Sequence, residues 1–127
     1  MSEEGKALVS RWIEARNTHN VEAAVALFSE DWHNRLPGAF NATTTAFPDV
    51  EITINEMIAE GNKVAMYWTF TGTHRGEFQG IPATGKAISW VGIDIYTIMD
   101  GKIIEHTRVG DMLGLLQQLG AISRPGR

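Results

Sequence analysis

The side chains best suited to chemistry gather in one stretch of this 127-residue chain, Ile88–Gly120. Asp94 stands between Ile93 and Ile95 on an apolar segment, where a carboxylate is costly to bury unless paired. Two readings of it conflict. An apolar wall would raise its pKa and make it a general base. An ion pair with Arg108 would lower the pKa and leave only an ordering contact. Arg108 is always charged and offers several donors, so it suits an enolate oxygen or a substrate carboxylate; the plainer roles are that salt bridge or a solvated strand position. His106 can orient Asp94 or carry a proton, or make a single structural hydrogen bond. His74 lies at a strand end near the expected pocket mouth, and His33 sits in the cluster Trp32-His33-Asn34. Asp111 is close to Arg108 in sequence, but it also stands where a helix cap belongs.

Trp12, Trp32, Trp68, Phe70, Phe78 and Trp90 suit a pocket for a flat ligand, though each such residue is more often plain core. Arg16 reads as part of a solvated helix face. There is no cysteine, which excludes disulfides, thiolate catalysis and cysteine metal sites. The four histidines show no ligand spacing, so no metal is expected. Gly80–Lys86 nearly matches a phosphate-binding loop, but Ala87 replaces the hydroxyl residue and a strand, not a helix, follows. A hairpin loop is the better reading.

These residues need elements to hold them. One domain is expected from the length, and 43% hydrophobic against 20% charged residues fits a globular chain. A net charge of −4 argues against nucleic acid or an anionic membrane as partner. The polar start is unlike a signal peptide, no apolar run reaches the ~20 residues of a membrane span, and a cytoplasmic protein is expected. Leu8, Val9, Trp12 and Ile13 share one stripe of a helix over 3–17. Asn20 can cap a second helix, Val21 to Phe28, making a helical hairpin. Residues 29–48 are irregular, with Pro37-Gly38 as turn chemistry and at most one weak helical turn over Ala39–Phe47.

From Val50 the period becomes two, with Val50, Ile52, Ile54 and Ile58 on the apolar side. Val64–Thr71 is apolar on both faces and belongs at the centre of a sheet. The last hairpin, Ala87–Ile98 with Lys102–Val109, turns at Asp100-Gly101. A three-residue loop with a glycine bulge would set His106 opposite Asp94 with Arg108 diagonal. A two-residue turn, the rival, would flip His106 and Arg108 to the other face. Asp111 opens a final helix, Met112–Leu119, and Gly120 ends it. The tail over 121–127 reads as loose. Helices followed by antiparallel strands define an α+β domain, a curved sheet with a helical hairpin across it.

Thr71–Phe78, Gly80–Gly85, Gly92–Ile95, Asp100–His106 and Gly114–Gly120, in this order, resemble the SnoaL-like proteins, the polyketide ester cyclases and their relatives within the nuclear transport factor 2-like superfamily. The resemblance implies a cone-shaped antiparallel sheet wrapped around the N-terminal helices, a deep apolar pocket, and homodimers paired through the sheet. It also implies cofactor-free chemistry: a carboxylate takes a proton next to a carbonyl, and the enolate closes a ring by aldol attack. The matching residues differ in kind. Arg108 stands where the cyclases carry their aspartate, Asp94 stands where they carry a histidine, and His74 is retained. The segment over 34–46, which adds a helix at the pocket mouth in the family, is shorter here.

The expected function is therefore a cofactor-free enzyme acting on an apolar, carbonyl-bearing ring compound, by cyclisation or isomerisation. Asp94 is its base, His106 the orienting partner, and Arg108 with His74 the oxyanion stabilisers. A binding protein without turnover is the second reading, and an epoxide-type hydrolase using Asp and Arg to activate water is the third.

Overall fold

A computed structural model describes residues 2–122. The chain runs α1 (Ser2–Asn17), α2 (Val21–Ala26), a 3-10 turn at Glu30–Trp32 and α3 (Leu36–Ala46). The strands β1 (Glu51–Glu60), β2 (Lys63–Thr73), β3 (Ala87–Met99) and β4 (Lys102–Gly110) follow, then α4 (Met112–Leu119). The strands form one antiparallel sheet in the order β1-β2-β3-β4. Its inner face packs on the helices through Trp12, Phe28, Phe40, Trp68, Phe70, Trp90 and Leu115, all buried.

The caps explain where helices start and stop. The Asn20 side chain accepts the Ala23 N–H at 3.0 Å, and the Asp111 side chain accepts from Gly114 at 2.9 Å, each satisfying an otherwise orphaned donor. Gly120 ends α4 at a φ of 79°, a left-handed position where glycine carries no penalty.

Both sheet edges are tied down. The Asn17 amide grips Ile52 on β1, donating to its carbonyl at 2.9 Å and accepting its N–H at 2.8 Å. On β4, Ile103 donates to the Leu27 carbonyl and accepts from the Ser29 N–H, both at 2.9 Å. Backbone groups that would invite another strand are thereby occupied.

Three expectations change. Pro37-Gly38 does not turn the chain away from a helix: α3 is a full helix of 11 residues with proline in its first turn. Proline is tolerated there because that N–H has no intrahelical partner. Leu36, Phe40 and Phe47 then fall on the buried side. Ile58 is 61% exposed, not on the apolar side, because the β1–β2 register slips at Asn55, between Ile54 and Glu56. The extra residue inverts the alternation beyond it. The second helix stops at Ala26, short of Phe28. The expected loose tail falls mainly on residues 123–127, outside the described residues.

The last hairpin resolves neither way. Asp100 and Gly101 both have positive φ, 52° and 74°, and Met99 pairs with Lys102, so the loop is a two-residue primed turn. That turn alone would send His106 and Arg108 outward. The register slips once more beyond it: Ile98 pairs with Ile103, but Thr97 pairs with Glu105. Ile104 is the extra residue, and parity is restored. Arg108 pairs directly with Asp94 and His106 with Tyr96, so His106 is the diagonal neighbour. The Trp32 indole donates to the Ile104 carbonyl at 3.0 Å and holds the bulge.

Candidate active site

The two central strands and the β4 edge converge on Asp94, whose side chain is fully buried. It accepts five hydrogen bonds. Oδ1 takes the Trp68 indole N–H at 2.9 Å and Arg108 Nε at 3.1 Å. Oδ2 takes the Tyr96 hydroxyl and His106 Nε2, both at 2.9 Å, and Arg108 Nη2 at 3.2 Å. Burial by itself would raise the Asp94 pKa. The His106 hydrogen bond, with the charge and hydrogen bonds of Arg108, outweighs it and holds the carboxyl well below the usual carboxylate range. Of the two conflicting readings, the ion pair with Arg108 that lowers the pKa is the one that fits: the acid is buried but saturated with donors, so its charged form is favoured.

The donors are themselves fixed. A carboxylate only accepts, so His106 Nε2 carries the ring proton, and in the neutral ring Nδ1 keeps a free lone pair. His106 stacks on Tyr96 with centroids 4.7 Å apart and planes 9° apart, and Trp32 lies 6.3 Å away. The Tyr96 hydroxyl accepts the Trp12 indole N–H at 3.1 Å, and burial followed by the Asp94 charge pushes its pKa well above the ordinary value. It therefore stays a donor. The Arg108 guanidinium lies 5.3 Å from the Trp68 ring. Its side chain is 40% exposed against 15% for His106, so the cluster reaches the surface at the β4 edge.

Two glycines make the indoles fit. Gly92 and Gly110 are register partners next to the Asp94–Arg108 pair. A β-carbon on Gly92 would stand 2.3 Å from the Trp68 ring, and one on Gly110 2.5 Å from the Trp90 ring. Trp68 and Trp90 meet edge to face at 5.0 Å.

The remaining candidates go elsewhere. His74 is fully buried, not at a mouth. Its Nδ1 accepts the Thr84 N–H at 3.2 Å, so its proton is on Nε2, and it packs 5.6 Å from Phe47. Phe78 and Phe70 belong to that same Phe47 cluster. His33 is exposed and bonds the Phe28 carbonyl. Asp111 is occupied as the α4 cap. Beneath Asp94 the inner face carries the buried rings of Trp12, Trp68 and Tyr96, linked to it by hydrogen bonds. An open cleft of about 800 Å³ lies at the hairpin-turn end, between Leu8, Arg11, Asn62 and Asp100, and includes none of these residues. Among the described residues no group of three metal-ligating side chains comes together.

Two polar residues of the interior were missed. Tyr96 is two positions from Asp94 on the same strand, so period-two alternation points to it. Arg16, expected on a solvated face, is 3% exposed. Its position four after Trp12 places it on the buried stripe.

The model of the SnoaL-like polyketide cyclase family matches residues 6–119, and the chain belongs to that family. It is 35% identical, over 133 aligned residues, to the aklanonic acid methyl ester cyclase DauD of Streptomyces sp. (strain C5), covering 89% of this chain and 80% of that protein. The cyclase of the same description from Streptomyces peucetius, DnrD, is also 35% identical, with 89% and 88% covered. The solved structure of TsrD from Streptomyces laurentii superposes with a TM-score of 0.89 at 26% identity, covering 94% of this chain and 97% of that one. The family and the α+β sheet-and-helix architecture agree with the resemblance read from the sequence. No helix among the described residues is long and apolar enough to cross a membrane.

Proposed function

We propose that this chain is a cofactor-independent cyclase of polyketide esters or related carbonyl-bearing ring compounds. One observation carries it: a buried carboxylate held anionic by five donors, three of them from His106 and Arg108 at the accessible edge. The named activities of DauD and DnrD support the ester substrate.

In this reading Asp94 is not the base but the anchor. It fixes the His106 tautomer and leaves the Nδ1 lone pair free, an arrangement that suits proton abstraction. A C–H bond next to a substrate carbonyl breaks, its proton goes to Nδ1, and the electron pair becomes an enolate. Arg108, locked bidentate on Asp94, offers its remaining N–H groups to the enolate oxygen. The enolate carbon then bonds to a second carbonyl carbon of the same molecule, and the new alkoxide takes the proton back from His106. His74 has no part in this step, since its ring serves the Thr84 loop.

The enzyme also pairs with a second copy through the outer sheet face. Tyr67, Val91, Ile93, Ile95 and Val109 support this, since all are 38% or more exposed on that face, more apolar surface than a lone domain ordinarily shows.

Turnover of an aklanonic-type methyl ester tests the reading. His106→Gln should lower the rate at least ~10²-fold with little change in ligand binding. An unchanged rate removes His106 as base. Incorporation of labelled water oxygen would favour hydrolysis, and quenched tryptophan fluorescence without turnover would favour a binding protein.

A further inference from the structure

The interior holds a second guanidinium. Arg16, on the inner stripe of α1, lies over the Phe40 ring at 3.8 Å. One terminal nitrogen donates to the Phe40 carbonyl at 2.9 Å and the other to the Thr44 hydroxyl. Every one of these partners is neutral. Among the described residues no carboxylate lies within ion-pair distance of it, and its Nε is buried without an acceptor. Arg108 is near enough for its charge to act on Arg16; burial first and that charge second lower the Arg16 pKa to about 10. The one buried carboxylate, Asp94, is already saturated.

Among the described residues three more buried polar atoms have no partner: the Ser29 hydroxyl, His74 Nε2 and Trp90 Nε1. The last two belong to one aromatic cluster, through Phe47 and Phe70. A buried cation faced only by neutral groups is costly, and so is each orphaned donor. A ligand oxygen carrying charge would match the Arg16 cation and give its Nε an acceptor.

We infer that Arg16 is a ligand-anchoring residue that selects, among flat polycyclic carbonyl compounds, those bearing an ionised oxygen, a carboxylate or an acidic phenol. This rests on the polyketide-ligand reading above and adds the charge of the ligand to it.

The test is tryptophan-quenching titration of the full chain with anthraquinone-2-carboxylate, its methyl ester, and 2-hydroxyanthraquinone at a pH that ionises the phenol. At least one anionic probe should bind about tenfold or more tighter than the neutral ester; which one does so tells carboxylate from phenolate. In Arg16→Met the ratio should fall toward one. If Arg16→Met does not fold, Arg16→Lys decides, since it keeps the charge but loses the planar fork, and the ratio should still drop. Equal binding of all three probes to the wild type overturns the inference and leaves the cyclase proposal standing. A ratio that survives in the folded variant also overturns it, and so does equal weakening of all probes, the mark of a merely structural role. Binding of no probe overturns both the inference and the ligand reading beneath it.

Discussion

Asp94 and Arg16 are both charged and both buried, yet their surroundings are opposite. Asp94 has five donors, and its charge is matched within the fold. Arg16 has a carbonyl, a hydroxyl and a ring face, and its charge is not matched. The first region is finished before any ligand arrives. The second stores an imbalance that a ligand can correct. The comparison teaches that burial alone does not set a group's role; the count and sign of its partners do.

Breaking the finished region should cost most. Asp94→Asn leaves Arg108 without its counter-ion and turns two acceptor sites into a donor group. We expect a loss of about 3 kcal/mol in urea-unfolding stability and a fall in turnover of at least ~10²-fold. A smaller but more diagnostic effect appears with acid. The folded Asp94 pKa lies below its unfolded value, so its stabilisation is full above about pH 4 and fades as pH falls toward the folded pKa. The wild-type and Asp94→Asn unfolding midpoints should therefore converge as pH drops below about 4. Parallel curves would mean the carboxylate is not held anionic.

Packing around the same region is tested by Gly92→Ala. The new methyl collides with the Trp68 ring and should cost about 1–3 kcal/mol by thermal or urea unfolding, with turnover reduced because Trp68 also holds Asp94. Arg16→Met should be the mildest. It loses two hydrogen bonds but also a desolvated, unmatched charge, so stability should stay within about 1 kcal/mol of wild type. A loss as large as that of Asp94→Asn would erase the contrast between the two regions.

The sequence makes much of the fold legible. Period-two alternation gives β2 and β3, and the Asn20, Asp111 and Gly120 signals locate α2 and α4, because caps and periodicity are local. The two bulges are not legible. Asn55 and Ile104 are ordinary strand residues, and what makes each an extra residue is the register of the neighbouring strand. The helix α3 is hidden because Pro37-Gly38 serves a turn and a first helical turn equally well. The cluster of Asp94, His106 and Arg108 can be read from alternation along two strands. The direction of the Asp94 pKa cannot, since it depends on whether His106 and Arg108 reach the one carboxylate together and outweigh its burial. Arg16 was misread because a charged side chain at the end of an amphipathic helix ordinarily faces water.

The slip at Ile104 carries one more lesson. It is none of the hydrogen-bond partners of Asp94, yet it decides which side of the molecule the imidazole and the guanidinium occupy. Deleting that single position would leave the composition of β4 nearly intact and turn it inside out, exporting both groups to the convex surface. In this fold the address of the chemistry is written in an odd-or-even count, one residue removed from the residues that use it.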